Sequence, residues 1–206
     1  MTDTPNPANP RPLSVLFFGS QGAGKGTQVK MLMEHLTKTQ PERGIIHIDM
    51  GAELRALRDT GSYTGKLTGS VIDQGNRMPD FMAIYLQTKK IAENLIAGDE
   101  HIIADGLARG PEQTAAFDDA MKFFGRDDFT IVSIELTEAS VMQRLLARGR
   151  NDDTEEAIKK RLAWYHSDVI PQLELLKSRG RKVISVDGEP DVETIHANIL
   201  RELGLS

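Results

Sequence analysis

Gly19-Ser20-Gln21-Gly22-Ala23-Gly24-Lys25 decides how this chain is read. The stretch follows an apolar run at 13–18 and opens an amphipathic segment, Gly26-Thr27-Gln28-Val29-Lys30-Met31-Leu32. That is the strand, loop and helix setting that a phosphate-binding loop requires. Glycines let successive backbone N–H groups converge on phosphate oxygens, the helix N-terminus adds positive potential, and Lys25 supplies a mobile cation for the outer phosphates. The alternative, a glycine-rich turn with an incidental lysine, leaves the agreement of glycine spacing, lysine, strand and helix unexplained. Because Gly26 follows the lysine, the hydroxyl expected there comes one place later, at Thr27.

Outward from the loop, short apolar runs rich in Val, Ile and Phe recur at 13–18, 44–48, 101–104, 129–135 and 182–186. Each is too short for a helix and suits a strand covered on both faces. Between them lie helical patterns. In 80–97, Phe81, Ile84, Tyr85, Ile91 and Leu95 are expected to share the buried face. In 154–177, Ile158, Leu162, Tyr165, Val169, Leu173 and Leu176 recur at spacings of three and four, with Pro171 expected to kink the helix. Strands alternating with helices predict an α/β fold, a three-layer α/β/α sandwich around a parallel sheet, whose ligands bind beyond the carboxyl ends of the strands.

The chain of 206 residues is of one-domain size, and its 39% apolar content with 18 Gly is globular rather than disordered. Residues 1–12 hold Pro5, Pro7, Pro10 and Pro12 and are expected to form a flexible tail, with 13–206 as a single domain. The tail lacks the apolar stretch of a secretory signal, so a cytoplasmic location is expected. A net charge of −5 gives no global attraction to nucleic acid or an anionic membrane, so an anion site must concentrate its basic residues. The absence of cysteine removes disulfides, thiolate metal sites and cysteine nucleophiles. His35, His47, His101, His166 and His196 show no ligand spacing, and Trp164 and Tyr165 read as packing residues.

Gly22-Ala23-Gly24-Lys25-Gly26-Thr27-Gln28 resembles the loop of adenylate kinases and related nucleoside monophosphate kinases, where Gly-Lys-Gly-Thr is the characteristic form. Asp105-Gly106-Leu107-Ala108-Arg109 is similar to the family's Asp-Gly-Phe-Pro-Arg. Gln113 stands where adenylate kinases read the adenine of AMP. Arg144, Arg148, Arg150 ahead of Asn151-Asp152-Asp153, and the later Arg161 resemble the family's lid arginines. Asp49-Met50-Gly51-Ala52-Glu53-Leu54-Arg55 matches the stretch whose arginine meets the acceptor phosphate, with Met50 and Ala52 in place of Thr and Asp. Gly75-Asn76-Arg77-Met78-Pro79-Asp80 resembles the end of the acceptor-binding insertion, and Val186-Asp187-Gly188 the loop at the donor adenine.

The resemblance implies a sheet of order 2-3-1-4-5 of the P-loop NTPase type, an acceptor-binding insertion over 50–80 and a minimal lid over 148–153 without zinc. It implies a monomeric phosphotransferase acting on ATP, AMP and ADP with Mg2+. Catalysis falls to Lys25, Arg109, Arg144, Arg150 and Arg161. ATP is expected on Gly22, Ala23, Gly24, Lys25, Gly26, Thr27, Arg144, Arg148 and Gly188. AMP is expected on Met50, Gly51, Arg55, Asn76, Arg77, Met78, Gly106, Arg109, Gln113, Arg150 and Arg161. Asp105 is expected to hold Mg2+ through water. The alternatives are a kinase for another monophosphate (CMP, UMP, dAMP or GMP) or for a small metabolite, and a non-catalytic nucleotide-binding module, motivated by the altered Met50, Ala52, Leu107 and Ala108.

Overall fold

The computed structural model describes residues 11–150 and 153–206. Five parallel strands form one sheet: β1 (Ser14–Phe18), β2 (Ile45–Asp49), β3 (His101–Asp105), β4 (Thr130–Glu135) and β5 (Lys182–Asp187). Their order, β2-β3-β1-β4-β5, is the one expected. The helices are α1 (Lys25–Thr39), α2 (Met50–Asp59), α3 (Tyr63–Ile72), α4 (Asp80–Asn94), α5 (Pro111–Phe123), α6 (Glu138–Arg148), α7 (Glu155–Trp164), α8 (Ile170–Ser178) and α9 (Val192–Leu203).

Alternation along β1 divides the core in two, since successive strand side chains point to opposite faces. Leu16 and Phe18 join Ile48, Ile102 and Ile131 on one face, under Ile91 of α4, Phe117 of α5 and Leu176 of α8. Val15 and Phe17 join Ile103, Val132 and Ile184 on the other, under Leu32 of α1 and Ile195 and Ile199 of α9. The expectation of strands covered on both faces holds for β1, β3 and β4 and fails at the sheet edges. β2 and β5 alternate instead, with Lys182, Ser185 and Asp187 of β5 exposed, because an edge strand is flanked on one side only.

Two helical expectations need correction. In α4 the inward residues are Ala83, Gln87 and Ile91, while Phe81 and Tyr85 are 68% and 55% exposed. In the 154–177 stretch the expected stripe is inward, but the helix is not merely kinked. A π-helical turn, Tyr165–Val169, separates α7 from α8, and Pro171 sits in the first turn of α8. A proline there removes one amide donor and crowds the carbonyl four residues earlier, and a wider turn relieves both.

The expected tail lies mostly outside the described residues, but Arg11 pairs with Asp128 at 3.6 Å and the Pro12 carbonyl accepts from Arg126 Nη1 at 3.1 Å. Among the described residues no helix is long and apolar enough to cross a membrane.

Asp118 ties α5 to the region before β5. Its buried carboxylate accepts from Arg181 Nε at 3.0 Å and Arg179 Nη1 at 3.2 Å, and pairs with Lys122 at 2.9 Å. Burial alone raises its pKa, but the hydrogen bonds from Lys122 and Arg181 outweigh that and the net shift is downward. A carboxyl depressed in the fold contributes stability above its unfolded value, near 3.9, and loses it as pH falls through the folded one. Asp118→Asn is expected to cost about 3 kcal/mol at pH 7, because the guanidinium groups lose their buried counter-charge. Thermal melts at pH 7 and pH 3 check it: the gap between wild type and variant narrows in acid.

Candidate functional site

All five strands point their carboxyl ends at one rim, and the site is built there. β1 runs into the glycine loop, and α1 starts at Lys25 after Gly24, whose φ of 86° is left-handed. Only glycine adopts that angle without strain. Gly22, with φ 85°, also brings the loop against α6: an added Cβ there would lie 3.0 Å from Leu145. Lys25 is 8% exposed and its Nζ donates to the carbonyls of Gly19 and Ser20, each at 2.9 Å. Its nearest carboxylate is Asp105, at 3.9 Å. Burial lowers the Lys25 pKa and raises that of Asp105; each partly offsets the other's shift.

The turn after β3 carries the second set of groups. Gly106 (φ 78°) and Ala108 (φ 52°) are both left-handed, and for the buried alanine that is a strained angle. After this turn Arg109 lies over the cleft, with its guanidinium carbon 5.4 Å from the centre of the Trp164 ring. Burial also lowers the pKa of Arg109.

Two cavities meet at this point. One is lined by Met50, Gly51, Arg55, Asn76, Arg77, Met78, Gly106, Arg109, Gln113 and Arg161, so it gathers every residue expected to bind AMP except Arg150. Gln21, Arg58 and Trp164 also line it. The other is lined by Gly22, Gly24, Lys25, Gly26, Thr27, Arg144, Arg148 and Arg150, together with Asp49 and Asp105. Gln21, Gly51, Arg55, Gly106 and Arg109 line both. Two of the expected ATP residues stand apart. Ala23 is 1% exposed, packed in the core, with its amide given to the Ser20 carbonyl. Gly188 lies outside the lining of both cavities, and its carbonyl accepts from Arg144 Nη2 at 2.9 Å.

The arginines after β4 are organised by a carboxylate to which the sequence analysis gave no role of its own. Asp153, its side chain wholly buried, accepts from Arg148 Nε and Nη2 at 2.8 and 2.7 Å and from Arg161 Nη1 at 3.1 Å. Burial opposes its ionisation, yet the Arg148 hydrogen bond helps hold its pKa below the usual carboxylate range. The bidentate, charge-assisted pair fixes the plane of the Arg148 guanidinium, and the single bond from Nη1 anchors Arg161 beside it. Of the expected lid, Asn151 and Asp152 lie outside the described residues.

Several groups here escaped sequence reading. Trp164, read as packing, does pack against the core and donates Nε1 to the Gly75 carbonyl at 3.2 Å, but it also lines the cleft. Gln21 stood within the quoted loop and lines both cavities. Asp80 bonds Gln113, and Asp49 ends β2 beside Asp105 in register. No spacing in the sequence marks these contacts.

Asp105 fits a divalent cation held through water. Its Oδ1 is buried without a hydrogen-bond partner, 3.9 Å from Lys25 Nζ, and the residue lines the cavity that Thr27 and Asp49 also line. Among the described residues no three His, Asp or Glu side chains gather as a direct ligand set.

Comparison with known proteins agrees with this geometry. A family model described as "Adenylate kinase" matches residues 17–181. The chain is 33% identical over 192 residues to the "Adenylate kinase" of Corynebacterium glutamicum, covering 93% of this chain and 99% of that one. It is 31% identical over 191 residues to the "Adenylate kinase" of Prochlorococcus marinus, covering 93% and 97%. It is 32% identical over 192 residues to "Adenylate kinase 1" of Nostoc sp., covering 92% and 98%. On the family match and on this coverage, the chain belongs to the adenylate kinase family.

Proposed function

We propose that the protein is a phosphotransferase that moves the γ-phosphoryl group of ATP reversibly to AMP, giving two ADP. The observation that carries this reading is that Arg55 and Arg109 line both cavities, so an acceptor phosphate in one lies next to a donor phosphate in the other.

An oxygen of the AMP phosphate attacks the γ-phosphorus as the bond to the β–γ bridging oxygen breaks. The acceptor is already ionised, so no general base is needed, and catalysis is positioning and charge neutralisation. Lys25 and the loop amides hold the donor phosphates. Arg109, Arg144, Arg150 and Arg161 gather on the transferred group, with Arg148 and Arg161 oriented by Asp153. Arg55 and Arg109 hold the acceptor phosphate. Bound Mg2+ would neutralise charge on the donor phosphates; Asp105 would hold it through water, beside Thr27. Closure of the 50–80 insertion and the short lid excludes water and suppresses hydrolysis. The same reading takes the enzyme to be a cytoplasmic monomer.

Incubation with Mg·ATP and a panel of monophosphates, followed by separation of products, tests the reading. ADP from AMP is the expected result. A diphosphate formed only from another base would replace the acceptor, and no diphosphate from any would leave a nucleotide-binding module.

A further inference from the structure

Gln113 sits in the first turn of α5, is 2% exposed, and lines the acceptor cavity. Its amide is held at both ends. Nε2 donates to Asp80 Oδ1 at 2.7 Å, and Oε1 accepts from the backbone N–H of Arg109 at 3.2 Å. The two partners leave one orientation: an ionised carboxylate only accepts and a peptide N–H only donates. A flipped amide would set oxygen against oxygen and N–H against N–H. Asp80 is itself fixed, because Arg77 Nη1 donates to the same Oδ1 at 2.7 Å while Arg77 Nε lies 3.4 Å from Asp168.

These bonds leave Gln113 one N–H and one lone pair side by side, in a fixed order. A 6-aminopurine offers N1 as acceptor and its amino group as donor. A 6-oxopurine offers the reverse, N1–H and O6, so a locked amide matches only one of the two. The apolar lining, Met50, Leu54, Ile72 and Met78, does not tell these edges apart. We propose that Asp80 is a specificity-determining positioning residue: by locking the direction of the Gln113 amide, it makes the acceptor cavity accept a 6-aminopurine and reject a 6-oxopurine. The inference rests on the phosphotransferase reading, with AMP as the acceptor that matches.

Calorimetric binding of AMP and of inosine monophosphate, with kcat/KM for both, tests it in wild type, Asp80→Asn and Asp80→Glu. Wild type is expected to favour AMP by about 100-fold or more, since a site built to pair one edge leaves buried groups unpaired against the other. Asp80→Asn replaces the charged acceptor shared by Arg77 Nη1 and Gln113 Nε2 with a neutral one that holds both more weakly, so the amide is loosened, and the preference falls by about tenfold or more through weaker AMP and tighter inosine monophosphate binding. Asp80→Glu keeps an acceptor-only group and restores most of the preference. The KM for ATP separates this from general damage and stays within about twofold. Equal loss of both ligands in Asp80→Asn, an undiminished preference in that variant, or a wild type without preference overturns the proposal. Should Asp80→Asn not fold, Asp80→Ser, whose hydroxyl both donates and accepts, decides: a fallen preference supports the lock and an unchanged preference overturns it. Wild type that binds neither ligand brings down the kinase reading together with this one, whereas AMP turnover with an unmoved preference brings down this one alone.

Discussion

Lys25→Met is expected to lower kcat by about 10³-fold or more with the fold intact, the scale on which charge-stabilising groups act in phosphoryl transfer. The ammonium is buried where the loop meets the sheet, held by the carbonyls of Gly19 and Ser20, and it is the nearest cation to Asp105. Methionine keeps most of the stem's volume and packing but removes the charge. Removal of the ammonium leaves Asp105 and the two loop carbonyls without their cation, so some stability is lost, and the melting control establishes that the variant is folded at the assay temperature. A coupled assay of ADP formation, with thermal melting as control, checks it. Near-normal turnover in a folded variant would refute the role given to the phosphate loop.

Arg109→Ala is expected to cost about 3–4 kcal/mol of transition-state stabilisation, or about 10²–10³-fold in kcat/KM for AMP. Arg109 lines both cavities, and its backbone also holds Gln113, so the substitution acts where donor, acceptor and base recognition meet. Alanine leaves the amide of residue 109 in place, so the loss reports the guanidinium alone. Most of it should appear in kcat, because charge on the transferring group is greatest in the transition state. A loss below about tenfold would contradict the placement of this residue.

Much of the fold was legible because its signals are local. A Gly-Lys-Gly-Thr loop after an apolar strand needs no long-range information, and the strand runs were found to within a residue or two at each end. The misreadings have physical causes. Phe81 and Tyr85 fit a helical stripe, but α4 turns Ala83 toward the acceptor cavity, where a large side chain would occupy the ligand's space. The edge strands β2 and β5 carry apolar runs like the central ones, and only sheet order reveals which face is open. In the site, the arginines were legible through the family resemblance of their segments, whereas their organisers were not. Asp80 meets Gln113 across 33 residues of sequence, and Trp164 meets Gly75 across 89.

The charge arithmetic also takes a definite form. Lys25, Arg55, Arg109, Arg144, Arg148 and Arg150 line one cavity and Arg161 the adjoining one, in a protein whose net charge is −5. Asp49, Asp105 and Asp153 sit among them, paired with Arg55, Lys25 and Arg148. A local concentration of this kind attracts anions whatever the overall sign.

The most direct test of transfer between two nucleotides in one cleft is phosphorus NMR of the protein with Mg·ATP and AMP. ATP and AMP are expected to fall together as two ADP appear for each ATP consumed, with inorganic phosphate near the uncatalysed level. ATP loss that produces inorganic phosphate and leaves AMP untouched would contradict the account.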